Sequence, residues 1–472
     1  MRDLPVSRRE FLKVIGAAST AGLLSGGLGG LLAACDRDTG STNTTATLAG
    51  GGTTTTTGSP TTVSSGPEMG RPVRIGLVSA NSGPLALFGT ADDWWTEYGL
   101  AAVSDGVVCG DGKLRHVSIV RQDCRSRADL AGKVARSLIA DARVDIILSA
   151  GSSDVVNAVA GQAETLGCPS ISDFVDWRAF IFDRGGAIDR PFTWTFAHAI
   201  GVEDIGANFL SMWRQVPTNK KIGLLLPDDA VGRLWSDATS GLPPMLSAAG
   251  YEYALLALYP PATEDFGAHI DEFKKNGCEI CCGAMATADL ITFWKSAHAQ
   301  GYMPKVVTMA GALLFPQALE AIGATASNLT AECLWHPSWP YADSITGRTA
   351  RELADDYVSK TGDQWTAAIA QYAKFEWAID VFRRTRSIID KDAVVAQVRT
   401  TQLRTCLGAI DFGAPVGADI ATTRRPAENV CKAAVGGAQW VTGSAFAFEP
   451  RLAANVNNPE LPLAGTIAPM EY

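Results

Sequence analysis

Four stretches of the sequence carry side chains able to hold a ligand or do chemistry. Ser82-Gly83-Pro84-Leu85-Ala86, continuing to Phe88-Gly89, is a small polar loop that closes an apolar run and precedes a helical pattern with Asp92 and Asp93 in its first turn. In a parallel α/β sheet the carboxyl end of a strand opens into such a loop, and ligands sit there. Gly151-Ser152-Ser153-Asp154 opens a second helix. Its hydroxyls and free backbone N–H groups suit a carboxylate, although Ser-Ser-Asp is equally a good N-cap, and Asp154 spoils the site if it points inward. Asp173, Phe174, Asp176 and Trp177 follow a strand end and mix acidic with aromatic side chains, as a cationic or polar ligand group requires. Trp177 could instead pack beneath the loop. Cys278-Glu279-Ile280-Cys281-Cys282 invites a metal. On a buried strand, however, Cys278 and Cys282 point to one face and Cys281 to the other, so three thiolates do not converge and a packing role is expected.

Catalytic patterns are missing: the sequence has no GxSxG elbow, HExxH, Walker loop or GxGxxG. His116, His198, His269, His298 and His336 are its only histidines. Of these, His198 and His336 fall where the chain is expected to cross between lobes, which makes a pH-sensitive hinge conceivable and structural histidines the simpler reading. No enzyme, cofactor or metal is expected. The 472 residues carry 40 Lys+Arg against 49 Asp+Glu, a net charge of −9, which together with the lack of a basic block argues against a nucleic-acid partner. Cys35 apart, an odd number of cysteines remains, so at least one is unpaired unless a bridge is intermolecular. Cys109 and Cys124, at the two ends of one expected strand, are candidates for a bridge.

The N-terminus reads as an export signal. Ser7-Arg8-Arg9-Glu10-Phe11-Leu12-Lys13 matches the twin-arginine pattern, an apolar run follows, and Leu32-Ala33-Ala34-Cys35 resembles a lipobox. Residues 1–35 are therefore expected to be a lipoprotein signal peptide, with Cys35 the lipidated residue and the membrane anchor. Residues 36–70 are rich in Thr, Gly and Ser, too poor in apolar side chains to fold, and expected to be a flexible tether.

From Arg71 onward, strand-like runs at 74–79, 117–122, 144–149 and 169–172 alternate with helical patterns at 90–103, 128–140 and 155–166. After a connector at 192–199 the rhythm restarts: helix 202–214, strand 221–226, a helical stretch 231–249 interrupted at Pro243-Pro244, strand 253–258, helix 266–275, strand 279–283, helix 288–299 and strand 305–310. Helices are expected again at 349–361, 366–386 and 393–399, with short extended segments at 407–412 and 445–448. This predicts an α/β fold of two Rossmann-like lobes with parallel central sheets. Crossings near 197, 335 and 409 make a three-strand hinge. Lobe 1 is then 71–196 plus 336–408, and lobe 2 is 197–335 plus 409–472.

Residues 71–455 resemble the branched-chain amino-acid type of periplasmic substrate-binding protein of ABC importers. The resemblance rests on Ile75-Gly76-Leu77, the Ser82–Gly89 loop, Ser149-Ala150-Gly151-Ser152-Ser153, Gly167-Cys168-Pro169-Ser170-Ile171-Ser172, Leu407-Gly408-Ala409-Ile410-Asp411-Phe412 and Gly436-Gly437-Ala438-Gln439-Trp440. It implies a clamshell of the periplasmic binding protein type I fold, holding a small ligand between the lobes and handing it to a permease outside the cytoplasm. Carried over by position, the contacts are Leu85, Phe88, Ser152, Ser153, Asp154, Phe174, Asp176 and Trp177 from lobe 1, with Val231, Met285 and Gly311 from lobe 2. The family usually places an acid after the strand equivalent to 306–310 to meet a ligand ammonium. Here that loop reads Ala310-Gly311-Ala312-Leu313, so an amino acid is joined by an amide, a carboxylate or a larger apolar ligand as candidates. Trp335, His336 and Trp339 are expected to pack the hinge. A ligand-sensing receptor or adaptor with the same clamshell is the alternative, and neighbouring permease and ATPase genes would favour import.

Overall fold

The computed structural model describes residues 66–472 of the chain. The export signal, Cys35 and the tether up to residue 65 lie outside the described residues.

Strand β1 (Val73–Ser79) is an apolar run without polar alternation, the pattern of a strand covered on both faces, and only Arg74 within it is exposed. A small antiparallel hairpin, β2 (Val107–Val108) and β3 (Leu114–Arg115), leads into β4 (Val117–Asp123), which pairs in parallel with β1. Strands β5 (Ile146–Ala150), β6 (Ser170–Asp176) and β7 (Thr195–Ile200) extend the sheet in parallel from the other edge of β1. Helices α1 (Asp92–Ala102), α2 (Ala128–Ala140), α3 (Ser153–Leu166) and α4 (Trp177–Phe182) form the crossovers.

At Gly201 the chain passes to a second sheet. Helix α5 (Val202–Trp213) precedes β8 (Lys221–Leu225), α6 (Ala230–Ser236), α7 (Leu242–Ala248) and β9 (Glu252–Ala254). Then come α8 (Gly267–Lys275), β10 (Ile280–Ala284), α9 (Thr287–Ala299), β11 (Val306–Ala310), α10 (Pro316–Ile322) and β12 (Thr330–Cys333). The chain then returns to the first lobe with α11 (Ala350–Thr361), α12 (Tyr372–Arg384) and α13 (Lys391–Arg399), the hairpin β13 (Gln402–Thr405) and β14 (Gly408–Asp411), and β15 (Val430–Lys432). It ends in β16 (Gly436–Thr442) and β17 (Phe448–Ala454). The first sheet runs β15-β7-β6-β5-β1-β4, parallel throughout. The second runs β17-β16-β12-β11-β10-β8-β9, with an antiparallel edge made by β16 and β17. Among the described residues no helix is long and apolar enough to cross a membrane.

Several expectations need correction. The connector at 192–199 contains β7, a buried strand whose Ala and His residues dilute its apolar signal. Pro243 and Pro244 do not interrupt a helix but open α7, where the N–H groups they lack would have had no helical partner. The break lies just before, where Asp237 Oδ1 accepts from the backbone N–H groups of Thr239 and Ser240 at 2.9 and 2.7 Å. The strand expected over 253–258 covers only Glu252–Ala254, and the one expected over 445–448 is β17. Helix α10 and strand β12 have no counterpart among the elements expected from the sequence. The third crossing falls at 433–435 rather than near 409, because β15 pairs with β7 and Phe412 packs on Phe196 and Trp377, all in the first lobe.

The cysteines Cys109 through Cys431 are all buried and unpaired, so Cys109 and Cys124 form no bridge. Cys278 precedes β10 instead of lying in it. It shares an apolar cluster with Cys281, while Cys282 belongs to the opposite cluster.

Candidate functional site

The carboxyl ends of β1, β5 and β6 face those of β8, β10, β11 and β12 across a cavity of about 390 Å³. Each wall follows from local chain geometry. Gly151, between β5 and α3, has φ +117, a conformation an L side chain rarely adopts, and it turns the chain so that Ser152, Ser153 and Asp154 border the cavity. Phe174 has φ +53 at a register shift in the β6–β7 pairing. This uncommon backbone for a bulky residue accompanies a ring in the cavity wall. Phe88 meets Phe174 with ring centroids 6.4 Å apart, and meets Phe315 of the second lobe at 5.0 Å, both edge to face. The two lobes therefore touch through aromatic rings at the cleft.

Beneath the first-lobe wall lies a buried charged cluster. Gln371 Nε2 donates to the Phe88 carbonyl, and its Oε1 accepts from Lys374 Nζ at 2.9 Å. Lys374 Nζ also lies 3.5 Å from Asp173 Oδ2. Burial pushes Asp173 up to about 7 and Asp92 up to about 6, with Lys374 acting against both shifts. Asp173 thus positions the wall through Lys374 and Gln371 rather than facing the cavity.

Of the residues expected at the site, Leu85, Phe88, Ser152, Ser153, Asp154, Phe174, Asp176, Val231, Met285 and Gly311 all line the cavity. Trp177 does not. Asp176 caps α4 by accepting from the N–H groups of Arg178 and Ala179 at 2.7 and 3.2 Å, which turns the next residue beneath the helix. The Trp177 indole is fully buried and donates to Glu203 Oε1 at 2.9 Å. Asp228 is exposed and paired with Arg233, whereas Asp229 borders the cavity and caps α6.

The loop Ala310-Gly311-Ala312-Leu313 carries no charge, as its sequence reads, but an acid reaches the second-lobe wall from elsewhere. Glu332, at the end of the unforeseen strand β12, lines the cavity. Its Oε1 accepts from the Gly311 N–H at 2.8 Å, and burial pushes its pKa up to about 7. Gly311 has φ +73, and a side chain there would be strained. A Glu in the last strand before Trp335-His336-Pro337 was the available signal, obscured by the brevity of Thr330-Ala331-Glu332-Cys333.

The hinge is tied by a second buried network. Glu203 accepts from Arg178 and from Lys432 Nζ, the latter at 3.1 Å, and Lys432 also lies 2.8 Å from Asp204. Arg178 and Lys432 belong to the first lobe, Glu203 and Asp204 to the second. His198 and His336 are pushed down to about 3 and about 4 by burial, so both are neutral near pH 7 and the pH-sensitive hinge is not supported. Trp335 packs edge to face on Trp365 and donates to the Cys406 carbonyl at 3.1 Å, a hinge contact.

Two parallel-sheet lobes with three crossings and a ligand-sized cavity between strand ends define a clamshell binding protein. The sequence profile described as periplasmic binding protein matches residues 72–424, and the chain belongs to that family. Membership implies an extracytoplasmic location. No curated protein sequence matches the chain. Solved structures share the fold. The branched-chain amino acid transporter substrate binding protein LivJ from Streptococcus pneumoniae, in complex with isoleucine, is 15% identical with a TM-score of 0.62, covering 81% of this chain and 99% of that one. The leucine binding protein LivK from Thermotoga maritima is 15% identical with a TM-score of 0.63, covering 82% and 99%. A solute binding protein of an ABC transporter from R. palustris, in complex with 4-hydroxybenzoate, is 15% identical with a TM-score of 0.61, covering 83% and 98%. The family and these neighbours are solute-binding proteins.

Proposed function

We propose that the protein is the solute receptor of an ABC importer, anchored to the membrane by a lipid on Cys35 after twin-arginine export. It binds a small organic solute, an amino acid, amide or small carboxylate, between its lobes and delivers it to a permease. The observation carrying this reading is the cavity of about 390 Å³ whose walls come from both lobes at their strand ends. A ligand touching both walls binds the closed arrangement more tightly than the open one, and closure follows from that difference. The relatives solved with isoleucine and with 4-hydroxybenzoate bracket the expected ligand size. Ser153→Ala combined with Phe88→Ala should abolish binding while leaving the unfolding transition intact. Unchanged affinity in that variant refutes the site.

A further inference from the structure

The charged side chains in the cavity wall are Asp154, Asp176, Asp229 and Glu332; among the described residues no lysine, arginine or histidine lines it. Two of these acids have other work, and a third is open to solvent. Asp154 is exposed on the first turn of α3, and Asp176 and Asp229 cap α4 and α6. Glu332 differs. It is 6% exposed, its Oε1 is held by the Gly311 N–H, and its Oε2 has no hydrogen-bond partner within the protein. Among the described residues it is the one lining side chain with a buried polar atom left unmatched. Buried carboxylates are normally paired or fully hydrogen-bonded, so an unmatched oxygen beside a ligand cavity points to a donor that arrives with the ligand. The loop after β11 has no acid of its own; through Gly311 it holds the acid of the next strand.

We propose that the solute is a protonated amine on an apolar body, and that Glu332 receives its N–H groups. The inference rests on the cleft being the binding site. The surroundings suit such a cation: Phe88, Phe174, Phe315 and Trp235 border the cavity, and aromatic rings attract ammonium groups as well as alkyl chains. A solute whose polar end is only a carboxylate would meet acids with no cation to balance it. Docking of an ammonium lowers the affinity of Glu332 for its proton, so binding releases a proton and strengthens as pH rises through about 7. The groups near Glu332 are the Cys282 thiol on β10 and the Cys333 thiol beside it. Burial raises the pKa of both and keeps them neutral. Asp176, in the opposite wall, is also pushed up to about 7 by burial.

The test is calorimetric titration of the full chain at pH 6 and pH 8 with 3-methylbutylamine, 2-phenylethylamine, leucine, 4-methylpentanoate and 4-hydroxybenzoate. The wild type, Glu332→Gln and Phe88→Ala are compared. Glutamine keeps the acceptor for Gly311 and removes the charge. The expected result is binding of amine-bearing compounds, weakened about 10- to 100-fold by Glu332→Gln, with proton release that the substitution diminishes. Amine binding indifferent to Glu332→Gln overturns the inference. Binding of the two carboxylates alone, lost in Phe88→Ala but unchanged in Glu332→Gln, overturns it while leaving the cleft in place. No binding by any of the five withdraws both readings.

Discussion

Replacing Lys374 with Met should destabilise the first lobe by an amount that depends on pH. Lys374 is 1% exposed; its ammonium reaches Gln371 Oε1 and Asp173 and lies 5.0 Å from the Trp95 ring. Burial lowers its own pKa while Asp173 and Asp92 raise it, so the cation and its carboxylates hold one another charged. Without it, both carboxyls climb above their present values of about 7 and about 6. A carboxyl whose native pKa is raised holds a proton that the unfolded chain releases near pH ~3.9. Its stabilising effect is full below that value and declines, by about 1.4 kcal/mol per pH unit, until the native pKa is reached. In the wild type the decline for Asp173 ends near pH 7, and that for Asp92 near pH 6. In the variant both continue. Between pH 5 and pH 8 the deficit of Lys374→Met should therefore widen by about 1 kcal/mol if Asp173 alone responds and by about 4 if both do. The total at pH 8 approaches the roughly 3–5 kcal/mol typical of a broken buried pair. Urea denaturation of the full chain at the two pH values, followed by tryptophan fluorescence, measures this. Adding Asp173→Asn should recover part of the loss at pH 8. A deficit identical at both pH values, or a double variant no more stable than Lys374→Met, refutes the reasoning.

The hinge network gives a second prediction. Lys432→Met leaves Glu203 with the side chains of Arg178 and Trp177, and Asp204 with that of Asn457, and should cost about 3–5 kcal/mol in urea denaturation. A loss below about 1 kcal/mol would show that the pair is dispensable. The thiols give a third. Cys109, Cys124, Cys168, Cys278, Cys281, Cys282, Cys333, Cys406 and Cys431 are buried and unpaired, so none should react with Ellman's reagent until the chain unfolds. Dithiothreitol should also leave the melting temperature unchanged; a drop would reveal a disulfide.

Part of the first lobe is legible because β1 and β5 are apolar runs of ordinary length. The loops after these two strands place Phe88 and Ser153 at strand ends. Shorter or more polar elements were not legible. Thr330-Ala331-Glu332-Cys333 is a strand only because β11 and β16 flank it, a tertiary cause that local pattern does not carry. With that strand unseen, Glu332 cannot be assigned to the cavity, and the uncharged loop after β11 reads as the loss of an ammonium-binding acid. Trp177 failed for a different reason. Adjacency to Asp176 says nothing about side, and the cap made by Asp176 turned the ring away from the ligand space. In β7, Ala197, His198 and Ala199 dilute the apolar signal of Phe196 and Ile200 too far to announce a strand.

The late return of the chain to the first sheet bears on how the protein is made. Val430 pairs with Ala197, and Ala438 with Ala331, so the edge of the first sheet and the antiparallel edge of the second both wait for the same final segment. A ribosome releasing this chain from its N-terminus has produced most of both lobes while neither sheet is complete. Ala433-Ala434-Val435, the third crossing, joins two strands that finish different lobes. The lobes cannot mature one after the other as independent beads; each remains an open-edged intermediate until synthesis is nearly over. Contacts so distant in sequence also make folding slow.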